Sequence, residues 1–375
     1  MLDADVEVDR REFTVRIALQ VAPGERLALF GPSGAGKTTL LEAVAGLVQP
    51  RRARISLGDR VLTSTAPPVR AVPPWQRRVG LLRQNPGLFP HLSVRDNLCY
   101  ARSAPRSEAA LSSLVSVLGI DGLLAAMPAG LSGGQAHRVA LGRLLLAQCD
   151  TLLLDEPYTG LDGSLRRSLT DLVSSLVAER SVPSILVTHE LTDAQAFADR
   201  LAVLDRGELL QIGAPDEVVL RPASRRVAEL IGYLGFVPSG DAVVGVHPER
   251  VVPGAFADRG LALTGTIVAF RPAGAEWEAD VRVGEETLTF RLLDRPPSPE
   301  EQLVFTVLSP PYFGADGNAI SPARVTSGHT RPEQVHQLSD LFRPIKRLLR
   351  SARRGRAVPR PLLAGMLLTA ARSPP

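Results

Sequence analysis

Short apolar runs alternate with amphipathic stretches through residues 1 to about 235. Arg26-Leu27-Ala28-Leu29-Phe30, Thr151-Leu152-Leu153-Leu154 and Ser184-Ile185-Leu186-Val187 are continuously apolar rather than alternating. A strand that is apolar on both faces belongs in the middle of a covered sheet. Thr38 to Ala45, Ala136 to Leu146 and the Ala/Leu/Ser-rich residues 102–127 read as helices. Strands alternating with helices predict an α/β core around a largely parallel sheet. Leu201 to Leu204, then Asp205-Arg206-Gly207, then Glu208 to Leu210 predict a hairpin. The texture changes after Gly235, where segments such as Gly265 to Phe270 and Thr287 to Arg291 are broken by Gly and Pro. They predict a small β-barrel domain over residues 236–310. Residues 311–375 read as a linker and a basic tail, expected to be poorly ordered.

Between the first strand and the first helix lies Gly31-Pro32-Ser33-Gly34-Ala35-Gly36-Lys37-Thr38, followed by Thr39. This fits the phosphate-loop spacing G-x-x-x-x-G-K-[ST] in its strand–loop–helix setting. Glycines let backbone N–H groups turn inward around an anion, and the helix N-terminus adds partial positive charge. Only two of the 43 basic residues are lysines, Lys37 and Lys346. A compact ammonium reaches β- and γ-phosphate oxygens inside a tight loop where a planar guanidinium is too bulky. The Thr38 hydroxyl is the expected ligand for Mg²⁺.

Composition narrows the setting. The length of 375 residues suits two or three domains. Two cysteines, Cys99 and Cys149, give no disulfide framework, which suits a reducing compartment. The acidic N-terminus lacks the apolar core of a signal peptide, and no run of about 18 apolar residues spans a membrane. The net charge of +4 is uneven: ten basic and two acidic residues follow Thr330, so the body is acidic. Nothing in that balance implies a nucleic-acid partner.

Two further motifs follow. Leu152-Leu153-Leu154-Asp155-Glu156 ends an apolar strand in paired carboxylates, Asp155 placed to hold Mg²⁺ through water and Glu156 to act as general base. Leu131-Ser132-Gly133-Gly134-Gln135 opens a helix with a Ser and two glycines, either an ordinary cap or a second anion site. In combination these segments resemble the ATP-binding subunits of ABC transporters, for which LSGGQ is the signature. The resemblance is close over residues 1 to about 235 and looser beyond.

The resemblance implies a fold: a P-loop NTPase (RecA-like) core, a helical subdomain at about 86–146, and a C-terminal TOBE/OB-like domain. It implies that Gln84 is the Q-loop glutamine sensing Mg²⁺, that Asp162 in Gly160-Leu161-Asp162 contacts the opposite subunit, and that His189 is the switch histidine at the γ-phosphate. It also implies a head-to-tail homodimer, with each ATP between Lys37 of one copy and Ser132-Gly133-Gly134-Gln135 of the other. The expected setting is the cytoplasmic face of the cell membrane. There a separate integral permease supplies the pore, and a solute-binding protein acts indirectly.

Several positions depart from the family pattern. Arg83 stands where an aromatic is usual, and His137 where a long polar residue is usual. Adenine stacking falls to Phe13 or to the guanidinium plane of Arg10 or Arg11, unless Phe13 is a strand core residue. Pro73 to Leu98 looks most like the molybdate and sulfate import ATPases. Within it, Gly87 to Leu98 is similar to the segment that helps form the permease groove. Gly245 to Val251 is similar to the opening of the TOBE-type domain of sulfate, polyamine, ferric-iron and sugar importer ATPases. That domain either binds a regulatory oxyanion or dimerises. The tail, Arg343 to Arg360 with eight basic residues, is either a membrane-surface segment or a plain basic extension. A DNA-repair or translation ATPase would bring a coiled-coil insertion or a second cassette, neither of which is present. The importer-type C-terminal domain counts against an exporter.

Overall fold

The computed structural model describes residues 1–101, 108–256, 258–296 and 298–322. Residues 102–107, at the start of an expected helical stretch, and the basic tail lie outside the described residues. Residues 1–238 and 242–322 belong to one compact unit.

Eleven strands form the main sheet. They are β1 Leu2–Asp9, β2 Thr14–Val21, β3 Arg26–Phe30, β4 Arg52–Leu57, β5 Arg60–Ser64, β6 Arg70–Ala71, β7 Val79–Leu82, β8 Thr151–Asp155, β9 Ser184–Thr188, β10 Arg200–Asp205 and β11 Glu208–Gly213. Their order is β6-β5-β4-β1-β2-β11-β10-β3-β9-β8-β7. From β10 to β7 every pairing is parallel. Here β8 and β9 are buried at every position, as strands covered on both faces must be. The opposite wing, β6-β5-β4-β1-β2, is antiparallel and joins β11 by a parallel pairing, and β1 and β2 alternate buried with less buried positions. The sheet is therefore mixed rather than largely parallel. The wing's alternating pattern buries one face, which suits antiparallel pairing.

Among the described residues there are nine α-helices: α1 Lys37–Ala45, α2 Pro74–Arg77, α3 Val94–Leu98, α4 Glu108–Leu118, α5 Gly133–Leu146, α6 Gly163–Arg180, α7 Leu191–Phe197, α8 Pro215–Leu220 and α9 Arg225–Leu230. The expected helical stretch of 102–127 is only partly regular, with α4 followed by a single 3-10 turn at Asp121–Leu123. The signature helix α5 begins at Gly133, before the expected Ala136, because Ser132 and Gln135 form a capping box that offsets the two glycines. Other helices also start on a side-chain cap: Ser93 on α3, Asp162 on α6 and Ser224 on α9.

The C-terminal region holds β12 Gly235–Ser239, β13 Ala242–Val246, β14 Val251–Pro253, β15 Gly260–Ala273, β16 Glu276–Val283, β17 Glu286–Leu292, β18 Gln302–Leu308, β19 Tyr312–Phe313 and β20 Ala319–Ile320. They make a four-stranded sheet, β12-β13-β19-β20, and a five-stranded one, β14-β18-β15-β16-β17. These ladders give two sheets, and no described pairing joins β14 to β17. Residues 312–320, expected in a linker, include two short strands: Phe313 pairs with Val243 and is fully buried beside Phe236 and Tyr233. The same cluster contains Ala28 and Phe30 of β3, so these strands share a core with the main sheet.

The carboxyl end of α1 is held by an unusual anchor. Arg77 is 4% exposed and, among the described residues, has no carboxylate partner. Its Nη1 donates to the carbonyls of Ala43 (3.2 Å) and Val44 (2.9 Å), its Nε to Val72 (2.7 Å) and its Nη2 to Thr63 Oγ1 (2.9 Å). The guanidinium takes up the Val44 carbonyl, shares the Ala43 carbonyl with the Gly46 amide, and places positive charge at the negative pole of α1. A Cβ on Gly46 would lie 2.5 Å from the Arg77 Cζ, so that position stays bare. Arg77→Met leaves several buried acceptors unpaired and is expected to cost about 3 kcal/mol or more. Chemical denaturation followed by circular dichroism reads this as a lower midpoint at unchanged slope.

Candidate functional site

The loop between β3 and α1 is shaped by its glycines. Gly34 and Gly36 have φ of 82° and 100°, values that L side chains rarely adopt. A Cβ on Gly31 would sit 2.1 Å from the Leu204 carbonyl oxygen, and one on Gly36 would sit 2.8 Å from Val15 Cγ2. Ala35 N donates to the Pro32 carbonyl (3.1 Å), and Gly207 N, in the β10–β11 turn, donates to the Ala35 carbonyl (3.0 Å). The hairpin thus clasps the loop from outside. No side chain caps α1, so its first N–H groups remain for a ligand.

Ser33 to Thr39 line a cleft of about 500 Å³ together with Gln84, Asp155 and Glu156. That size suits a nucleotide. Lys37 Nζ donates to the carbonyls of Gly31 (2.6 Å) and Pro32 (2.9 Å). Burial lowers its pKa, while the carboxylates of Glu156 and Asp155 oppose the shift. Thr38 Oγ1 donates to Asp155 Oδ2 at 2.8 Å. Asp155 Oδ1 is buried and has no hydrogen-bond partner. Burial raises the Asp155 pKa, against the Thr38 hydrogen bond. An orphaned carboxylate oxygen beside a threonine hydroxyl is a donor set for a hard divalent cation, so these residues fit Mg²⁺. Gln84 lines the same cleft.

Glu156 follows directly. Its φ of 51° is left-handed, a conformation that costs a non-glycine residue on the order of 1–3 kcal/mol. Its amide donates to the Val187 carbonyl (2.9 Å), which helps hold the strained backbone. The side chain is 19% exposed, with Oε1 3.1 Å from His189 Nδ1 and Oε2 accepting from Thr159 Oγ1 at 3.3 Å. His189 faces a second, smaller cavity rather than the main cleft, and Glu156 borders both.

The other expected residues stand apart. Ser132, Gly133, Gly134 and Gln135 are at the start of α5 and do not line this cleft. Asp162 does not line it either; its Oδ1 accepts from Ser164 N (2.9 Å) and Leu165 N (3.0 Å) as the α6 cap. Phe13, Arg10 and Arg11 all line the cleft. Phe13 also contributes to the core, and its ring would lie 2.8 Å from a Cβ on Gly207.

Four contacts lie beyond sequence reading. Arg10 Nε donates to Thr39 Oγ1 at 3.0 Å. Arg83, the departure beside Gln84, pairs with Glu42 on α1 at 2.9 Å, and Arg10 approaches the same carboxylate at 3.6 Å. Arg166 on α6 pairs with Asp193 on α7 at 3.1 Å. Each joins segments far apart in the chain, and no local spacing announces them.

The glycine loop between β3 and α1 and the Asp155–Glu156 strand end together form a nucleotide-sized site of the phosphate-loop type. Residues 15–159 match the family model described as ABC transporter. Among solved structures, one described as an ATP binding subunit of an ABC transporter superposes with a TM-score of 0.51 at 25% identity, covering 62% of this chain and 95% of that one. Among curated proteins, the Fe(3+) ions import ATP-binding protein FbpC of Pseudomonas fluorescens is 42% identical over 226 residues, 60% of this chain and 63% of that protein. The trehalose/maltose import ATP-binding protein MalK of Thermococcus litoralis is 39% identical over 61% of this chain and 62% of its own length. The molybdenum import ATP-binding protein ModC of Mycobacterium tuberculosis is 40% identical over 60% of this chain and 63% of its own length. The chain thus spans less than two thirds of each of these relatives. Among the described residues no helix is long and apolar enough to cross a membrane.

Proposed function

We propose that this chain is the ATP-hydrolysing subunit of an ABC importer, working as a homodimer against a separate integral permease. The observation that carries the reading is the convergence of Lys37, Thr38, Asp155 and Glu156 on one cleft, with the Asp155 Oδ1 atom buried and unpartnered. The loop N–H groups and Lys37 hold the triphosphate. Thr38, Asp155 and Gln84 hold Mg²⁺, which when bound neutralises phosphate charge. Glu156 orients the attacking water and takes its proton, and His189 fixes the carboxylate through Oε1.

Ser132 to Gln135 and Asp162 lie outside the cleft of their own copy, which supports their use on the nucleotide of a second copy. The γ-phosphate then seals two copies together, and its loss parts them. The protein sits peripherally at the cytoplasmic face, and a solute-binding protein delivers cargo to the permease. The two C-terminal sheets are a TOBE-type accessory domain serving mainly in dimerisation.

The cargo we assign is an inorganic oxyanion such as molybdate or sulfate, on the segment Pro73 to Leu98. Relatives named for ferric ions, trehalose/maltose and molybdenum share the ATPase half, because that half never touches cargo. Ferric-iron, sugar and polyamine import are the alternatives. The test is direct. Purified chain should retain ATP and release phosphate only with Mg²⁺ present, and affinity purification from membranes should recover a permease. Failure to retain or hydrolyse ATP, even with that permease, overturns the ATPase assignment. Hydrolysis without molybdate or sulfate uptake overturns only the cargo.

A further inference from the structure

Asp162 and His189 each have a charged residue one helical turn downstream: Arg166 on α6 and Asp193 on α7. These two meet at 3.1 Å, Arg166 Nη1 donating to Asp193 Oδ1. Asp193 is 7% exposed, so it is no ordinary surface charge. Burial pushes its pKa up, and Arg166 is the first influence opposing that shift. Arg166 Nε is buried without an acceptor, so the guanidinium sits here at a cost that its Asp193 contact offsets.

The cavity of about 120 Å³ explains why such a contact matters. Glu156, Thr159, His189, Arg166 and Asp193 all line it. Side chains that face a void are not aligned by close packing. His189 is also half exposed and has a competing carboxylate, Glu190 Oε1, 3.5 Å from its Nε2. The β8–β9 ladder already sets the two backbones, Asp155 pairing with Val187 and Glu156 N donating to the Val187 carbonyl, but it leaves the half-exposed His189 ring itself to be aligned.

We propose that the Arg166–Asp193 pair is a positioning strut that makes the Asp162 and His189 segments move together, so that seating a second copy on Asp162 fixes the His189–Glu156 contact. This rests on the homodimeric ATPase reading. Neither residue touches nucleotide; both act through His189.

The test compares Arg166→Met, Asp193→Asn, Arg166→Lys and the swap Arg166→Asp/Asp193→Arg in the full chain. Each is assayed for kcat, KM for ATP and melting temperature. The single neutral variants should lose about 10- to 100-fold in kcat, the scale of a small misalignment, with KM for ATP within about twofold. Arg166→Lys keeps the charge and should retain most of the rate, and the swap should recover part of it. Wild-type kcat in either neutral variant overturns the strut. So does an Arg166→Lys protein as slow as Arg166→Met, or a loss of kcat that simply follows melting temperature. A wild-type chain that never hydrolyses ATP sinks the parent reading instead, so the two failures are distinct.

Discussion

Glu156→Gln should lower the rate of phosphate release by about 100- to 10,000-fold, the usual contribution of a general base, while leaving ATP affinity close to wild type. The substitution keeps the shape of the side chain. The amide oxygen can still accept from His189 Nδ1, now 3.1 Å from Oε1. The Thr159 hydroxyl, 3.3 Å from Oε2, can rotate to accept from the new amide nitrogen. What the amide lacks is the ability to take a proton from water. Because Lys37 and the glycine loop are untouched, the variant should bind MgATP, fail to clear it and accumulate as a dimer. Size-exclusion chromatography with and without MgATP reads the dimer, and a phosphate-release assay reads the rate. Turnover at the wild-type rate removes Glu156 from its role.

Lys37→Met should weaken retention of nucleotide by roughly 100-fold or more. The ammonium sits 6% exposed at the floor of the loop and already spans two carbonyls. Charge-assisted hydrogen bonds contribute about 1.5–3 kcal/mol each. Losing two from phosphate weakens binding by about 3 kcal/mol or more, roughly 100-fold in Kd. Burial lowers the lysine's pKa, so bound phosphate is the partner that would best reward its charge. Isothermal titration with MgATP measures the effect, and a melting curve separates it from loss of fold. An unchanged Kd in the Lys37→Met protein would mean that the loop grips phosphate through its backbone alone.

The site was legible where the chemistry is local. The loop spacing, the carboxylates ending β8 and the Ser132–Gln135 cap each occupy a few consecutive residues, and each dictates its own backbone. The central strands were legible because a strand covered on both faces reads as an unbroken apolar run. The antiparallel wing was not legible from that signal, since β1 and β2 alternate buried with less buried positions and so carry no unbroken apolar run. Strands β19 and β20 are two residues each, too short to leave a period, and only their pairing defines them. The contacts of Glu42 with Arg83 and Arg10, and of Arg166 with Asp193, join residues 27 or more positions apart in sequence. Such pairs depend on how the helices dock, which no spacing rule encodes.

Strand β3 lies between β9 and β10, and the turn after β10 clasps the phosphate loop through Gly207. The strand that leads into this loop is made early in synthesis, but its two neighbours in the sheet emerge roughly 160–180 residues later. A nascent chain must keep an apolar strand and a glycine-rich loop waiting until residue 207 has left the ribosome. Contacts this distant in sequence slow folding and leave hydrophobic edges uncovered in the meantime. Binding competence therefore arrives late and all at once, and a ribosome stalled before β10 would carry the phosphate-loop motif without its pocket.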